Sequence, residues 1–192
     1  MISLFYHRWL RFLWPFSRIV KREYANVRSL AGMMTQREGN GLDIGCGVGH
    51  SFQLMTTTIT IGLDKDRKMA HQARRNYRTP LVIADAALLP FREGSLCAVN
   101  AIGLTEYLSD LKFFLREIEH VGTEDCHVIL TSSPSTLFSR IRRLFSPSVH
   151  IRTSGELCRL AACCHLVPVE ILHTFSQDAL LLRRTIVRKT DL

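Results

Sequence analysis

Acidic side chains are scarce in this chain. Its 192 residues carry 17 Asp and Glu against 25 Lys and Arg, a net charge of +8. That imbalance favours a polyanionic neighbour, either nucleic acid or an anionic membrane surface. Paired cysteines are also lacking. The six cysteines (46, 97, 126, 158, 163 and 164) form no C-x-x-C pair, so metal and disulfide frameworks are poor readings and a reducing, cytoplasmic compartment fits. The Cys163-Cys164-His165 cluster falls inside the apolar helical run Glu156–His165 and reads as buried packing, not as a metal site. No uninterrupted apolar run approaches the roughly 18 residues of a spanning helix. Arginines break the N-terminal apolar stretch and argue against a cleaved signal peptide. Repeats and low-complexity linkers are missing, and the length suits one domain with a full core.

What is present is concentrated in Gly41-Leu42-Asp43-Ile44-Gly45-Cys46-Gly47-Val48-Gly49-His50. An apolar strand end runs into glycines at every second position, a loop bare enough for a ligand to lie against its backbone. The amides that open the next helix then face that ligand. A P-loop needs Lys followed by Ser or Thr after its last glycine, whereas Gly49 precedes His50-Ser51. A dinucleotide fingerprint puts its third glycine at position 50, which is His50. What remains is D-x-G-x-G-x-G from Asp43 to Gly49, or an ordinary glycine-rich turn.

Two further landmarks weigh against the ordinary turn. Ile59-Thr60-Ile61-Gly62-Leu63-Asp64 alternates like a second strand, and Leu81-Val82-Ile83-Ala84-Asp85 is a third apolar run. Asp43, Asp64 and Asp85 therefore recur every 21 residues, one per strand–helix unit. In a parallel α/β sheet ligands bind beyond the carboxyl ends of the strands, where these acids gather. An acid after the second strand suits a ribose diol and one after the third an exocyclic amine, at roughly 1.5–3 kcal/mol per charge-assisted bond. Each Asp taken alone also reads as a helix N-cap.

With Ala84-Asp85-Ala86-Ala87-Leu88-Leu89-Pro90-Phe91, the Glu93-Gly94-Ser95 turn and the strand Ala98–Ile102 added, residues 41–121 resemble the core of class I S-adenosylmethionine-dependent methyltransferases. The likeness is to the type 11 group, which includes quinone-biosynthesis enzymes. It implies a Rossmann-like α/β three-layer sandwich, with a mostly parallel seven-stranded sheet whose last strand is antiparallel. It implies S-adenosyl-L-methionine as cofactor, held by Asp43, Gly45, Cys46, Gly47, Gly49, Asp64, Lys65, Asp85, Ala86 and Ile102. Within that set the glycine loop passes under the methionine part, Asp64 holds the ribose, and Asp85 with Ala86 meets the adenine. Glu106 and Tyr107 are the candidate catalytic groups on the acceptor side. Two positions depart from the group's pattern: Cys97 stands where an Asp is common, and Glu106-Tyr107 where a His is often found.

The ends carry the basic charge. Residues 1–30 read as a basic amphipathic helical segment, with Ile2, Phe5, Trp9, Phe12, Leu13 and Phe16 at helical spacing. Such a helix lies in a membrane interface or packs on the sheet or another subunit. Residues 31–192 form the catalytic domain, with a lid-like insertion at 132–152. Within that insertion Leu137, Phe138, Ile141, Leu144 and Phe145 oppose Arg140, Arg142 and Arg143. The rest reads as helices over Asp110–Val121 and Thr153–His165, then strands over Val167–Thr174 and Ala179–Val187.

These features predict methyl transfer to a small or lipid-like acceptor, with residues 1–20 and 136–145 on an anionic membrane at its inner face. Two alternatives stay open. An RNA methyltransferase accounts for the charge, although no RNA-binding module is appended and the arginines interleave with apolar residues. A non-catalytic assembly or scaffold protein accounts for the two departures.

Overall fold

A computed structural model describes residues 16–34, 39–54, 59–134 and 149–185. Residues 1–15 of the expected N-terminal helical segment and the expected helix at 136–145 lie outside the described residues, as does the end of the last strand beyond Thr185. The elements run α1 (Phe16–Met33), β1 (Asn40–Ile44), a 3-10 turn (His50–Gln53), β2 (Ile59–Leu63), α2 (Arg67–Asn76) and β3 (Leu81–Val82). There follow β4 (Leu96–Ala101), a second 3-10 turn (Thr105–Tyr107), α3 (Leu111–Val121), β5 (Gly122–Ser132), α4 (Ser154–Ala162), β6 (Leu166–His173) and β7 (Asp178–Arg184).

The strands form one sheet in the order β3-β2-β1-β4-β5-β7-β6. The β3–β2, β2–β1, β1–β4 and β4–β5 pairs are parallel. The last strand, β7, enters antiparallel between β5 and β6, as expected for this architecture. The carboxyl ends of β1 to β5 therefore share one edge, and the β6–β7 turn returns to it, because Ser132 pairs with Asp178 and Asp178 with His173.

Alternation along the strands divides the core into two layers. Leu42, Ile44, Val99, Ala101, Val128, Leu130, Leu180 and Leu182 face α3 and α4, where Phe114, Leu115, Ile118 and Leu157 are buried. Ala98, Ile129, Ala179 and Leu181 face Val27, Leu30, Ala31 and Met34 from α1 and its end. The proposed boundary at residue 30 thus falls inside α1. From Tyr24 onward this helix packs on the sheet, through Val27, Leu30 and Ala31 and then Met34 at its end. No helix among the described residues is long and apolar enough to cross a membrane.

Short polar residues set the helix ends. The Asp66 carboxylate accepts from the amides of Lys68 and Met69, the Asp110 carboxylate from Phe113, and the Thr153 hydroxyl from Glu156. The third strand is shorter than expected. It stops at Val82, so Ile83–Asp85 already belongs to the loop. The helix expected to reach His165 stops at Ala162, and His165 takes a left-handed conformation (φ 54°) before β6 begins. Of the Cys163-Cys164-His165 cluster only Cys164 is buried, which corrects the expectation of a buried group of three.

Leu30 is fully buried between α1 and the sheet. Replacing it with Ala is expected to lower unfolding stability by about 2–5 kcal/mol, read as a lower urea midpoint. A change below about 0.5 kcal/mol would show that α1 does not share the core in solution.

Candidate functional site

The glycine loop is tied to the tip of β2 by three consecutive amides. Gly45 and Cys46 both donate to the Leu63 carbonyl, at 2.7 and 3.0 Å. The Gly47 amide donates to Asp64 Oδ2 at 2.8 Å, and the other oxygen of that carboxylate accepts from Asp66 at 2.8 Å. Gly45, Gly47 and Gly49 all have positive φ (70°, 55° and 89°), yet their surroundings differ. A Cβ on Gly45 would lie 3.0 Å from the Leu104 side chain, and one on Gly49 only 2.6 Å from the Tyr77 ring. These two glycines permit protein packing, the second against an edge-to-face Phe52–Tyr77 pair. A Cβ on Gly47 would meet nothing within 4 Å. Gly47 is the glycine past which a ligand can approach the backbone, and Asp64 stands beside it.

The three recurring acids reach the edge of the sheet in very different states. Asp43 lies within β1 and is 1% exposed, beneath the loop instead of on its open side. It accepts a short hydrogen bond from the Ser51 hydroxyl. Burial pushes its pKa up to about 7, against the lowering effect of Ser51, with the nearby Asp64 charge adding to the rise. Asp64 is partly exposed at the rim. Asp85 is exposed, accepts from the Ala87 amide at 3.0 Å, and stands 3.8 Å from Lys65 Nζ in a solvent-screened pair. Asp64, Lys65 and Asp85 are thus brought to one rim with Gly47, and Asp43 supports them from below.

The other expected contacts are placed differently. The Cys46 side chain is buried, and burial with the Asp43 and Asp64 charges drives its thiol far above the usual range, so only its backbone can meet a ligand. The Ala86 methyl packs into the α3/α4 layer, and Ile102 packs against the α1 layer. Asn100, register partner of Asp43 on the α1 side, is fully buried, and its side-chain amide has no hydrogen-bond partner among the described residues. An ordered water suits such a group.

Beyond β4 the chain turns through Gly103 and Leu104 into Thr105–Tyr107, directly against the glycine loop through the Leu104–Gly45 approach. This turn is anchored to β5. The Gly103 amide donates to the Thr131 hydroxyl at 2.7 Å, and the Thr105 hydroxyl donates to the Thr131 carbonyl at 2.6 Å. Glu106 is buried and accepts a short hydrogen bond from the Ser133 hydroxyl, whereas Tyr107 is exposed. The chain returning from the 135–148 segment also closes on this turn. The His150 amide donates to the Glu106 carbonyl at 2.7 Å. The Arg152 guanidinium forks to the carbonyls of Thr105 and Leu108, both at 2.7 Å, and reaches Ser109 at 3.3 Å. Sequence reasoning did not single out Ser51, Asn100, Ser133 or Arg152, although Ser51 lies directly behind the loop and Ser133 and Arg152 fall within the expected 132–152 insertion.

A mostly parallel seven-stranded sheet with an antiparallel β7, a three-glycine loop after β1, and acids after β2 and β3 together define the class I methyltransferase fold. Residues 42–130 match the family model of the methyltransferase domain. It is 32% identical over 117 residues to the uncharacterized protein MJ1252 of Methanocaldococcus jannaschii, a match covering 60% of this chain and 43% of that protein. The chain therefore spans less than half the length of this curated relative. Its fold is similar to a chain of the Haloferax volcanii complex containing the Trm112 methyltransferase activator, with a TM-score of 0.77 at 16% identity, covering 88% of this chain and 93% of that one. It is also similar to magnesium protoporphyrin IX methyltransferase from Synechocystis PCC 6803 with bound SAH, with a TM-score of 0.74 at 15% identity, covering 95% and 97%.

Two outcomes follow from this geometry. Asp43 binds its proton more tightly folded than unfolded, because its pKa rises from 3.8 to about 7 on folding. Its contribution to stability therefore falls as pH rises from about 4 to about 7 and is constant above that. In urea titrations, Asp43→Asn should remove this decline, so that the variant gains on wild type between pH 5 and pH 8; parallel curves would refute the buried acid. Truncating Arg152 to Ala leaves three turn carbonyls without their donor and is expected to cost about 1–3 kcal/mol. Arg152→Lys, unable to fork, should recover only part of that loss in the same assay.

Proposed function

We propose that this chain binds S-adenosyl-L-methionine and methylates a small or lipid-like acceptor at an anionic membrane surface. The observation that carries the reading is the open space over Gly47, flanked by the Asp64 carboxylate and abutting the Glu106 turn. The donor set suits the group. Backbone amides and small residues leave room for the methionine part, Asp64 accepts from ribose hydroxyls, and Asp85 accepts from the adenine amine. When bound, this cofactor supplies an electrophilic methyl group on a positively charged sulfur. The Asp64 and Asp85 carboxylates lie on the side of the fold where that positive charge is favoured.

The residues of the chain do the positioning. The amide ties from Gly45, Cys46 and Gly47 fix the loop height against β2, and Leu104 sets the gap to the acceptor side. Methyl transfer to a good nucleophile runs mainly on such positioning. Glu106, which accepts from Ser133, takes the proton in this reading when the acceptor needs to lose one. Exposed Tyr107 orients the acceptor at the mouth. The porphyrin substrate named for the Synechocystis relative supports a small, largely apolar acceptor. The Trm112 activator named in the Haloferax complex supports trying an activator subunit should the isolated chain prove inactive.

One observation favours a non-catalytic reading. Glu106 is already engaged inside the protein by Ser133, and its carbonyl by His150, which suits a purely structural turn. Calorimetric titration with S-adenosylmethionine and its demethylated product separates the readings. Wild type is expected to bind both, and Asp64→Ala to bind at least about tenfold more weakly, since a charge-assisted bond contributes roughly 1.5–3 kcal/mol. A folded wild type that binds neither would overturn the enzyme reading. Binding without turnover on quinone-like and isoprenoid acceptors would favour the assembly role.

A further inference from the structure

A second concavity lies on the same edge of the sheet, away from the glycine loop. It is a groove of roughly 490 Å³ between α1 and the β6–β7 turn, lined by Arg18 and Arg22 on one side and His173, Thr174, Phe175 and Ser176 on the other. Arg18 and Arg22 are exposed and stand four residues apart, on one face of α1. Among the described residues no ion pair engages either of them.

The carboxylates near the groove are occupied elsewhere. Asp178 is buried and 2.8 Å from His173 Nδ1, which holds the imidazole in place at the groove wall. Glu23 accepts from the Ser176 hydroxyl at 2.7 Å, which fixes the turn to α1. The turn is itself built: the Thr174 hydroxyl donates to the Gln177 carbonyl at 2.7 Å and accepts from the Gln177 amide at 2.8 Å. Two guanidinium groups thus face a preformed wall, and the 57%-exposed Phe175 adds an apolar surface beside them. A guanidinium fork matches phosphate oxygens in geometry as well as charge.

We infer that this groove binds a phosphate group carried by an amphiphile, the phosphate on Arg18 and Arg22 and the apolar body along Phe175. His173 pairs with Asp178, and Asp178 with Ser132, so two strand spacings, about 10 Å, separate the groove wall from the Ser132-Ser133 end of β5. The phosphate comes either from a membrane lipid headgroup or from a soluble phosphate ester. Only the link to an acceptor rests on the methyltransferase reading; binding in the groove does not.

The test uses the full chain, inorganic pyrophosphate by calorimetry, and flotation with phosphatidylglycerol vesicles against phosphatidylcholine vesicles. Arg18→Gln/Arg22→Gln is compared with Arg74→Gln/Arg78→Gln, a pair of exposed arginines at the β3 end of the sheet. Each double variant lowers the net charge of +8 by two, so non-specific attraction falls equally in both. Expected is a loss of about tenfold or more for the groove pair and less than about threefold for the control pair. Loss confined to phosphatidylglycerol vesicles assigns a lipid headgroup, and loss for pyrophosphate assigns a soluble ester. Absence of binding to either probe, or equal losses in the two variants, overturns the inference. An S-adenosylmethionine titration of every sample keeps the readings apart. Unchanged cofactor binding in the groove variant shows that the fold is intact, and absence of cofactor binding in wild type counts against the enzyme reading alone.

Discussion

Three neighbouring amides end on the tip of one strand, and the working edge of this protein is arranged around that tie. Gly45 and Cys46 share the Leu63 carbonyl, and Gly47 takes the carboxylate of the next residue, Asp64. The loop after β1 is thereby held against the end of β2 at hydrogen-bonding distance, and its backbone has little freedom left to lose when a ligand arrives. The same tie keeps Asp64 at the rim, with one oxygen on the loop and the other on the amide that precedes α2. Loop and acid therefore form one unit.

Beneath that unit the protein stores a carboxyl group in a poor place for a charge. Asp43 is enclosed by the sheet and the 50–54 turn, with the Ser51 hydroxyl donating to it and the Asn100 amide beside it in register. Burial raises its pKa to about 7, which near neutrality leaves it divided between two states. Asp43 and Asp64 differ because one is enclosed by the protein and the other is partly exposed at the rim.

The turn after β4 is held by segments far apart in the chain. Thr105–Tyr107 follows β4, Thr131 and Ser133 end β5, and His150 and Arg152 return from the 135–148 segment. Arg152 matters because its fork fixes the turn through backbone carbonyls, which no side-chain pattern announces. The groove between α1 and the β6–β7 turn lies at the far end of the same edge, so the side of the sheet that holds the glycine loop is also the side that presents paired arginines.

The sequence by itself determined the order of elements, the position of the glycine loop, and the recurrence of an acid after each of the first three strands. These are local properties: φ freedom at glycine, two-residue alternation, and short polar caps such as Asp110 and Thr153 act within a few residues. It also carried the antiparallel last strand, through a resemblance to proteins of the same class. The tertiary structure alone decided which glycine is open, because Gly45 and Gly49 are filled by Leu104 and Tyr77 from elsewhere in the chain. It decided that Asp43 is buried while Asp85 is not, that Cys46 turns inward, and that Ser133 and Arg152 converge on one turn. It also brought Val27 and Leu30 of α1, on the N-terminal side of the expected boundary, into the core. Each of these depends on a contact between segments distant in the chain, and neither spacing nor composition encodes which distant side chain arrives.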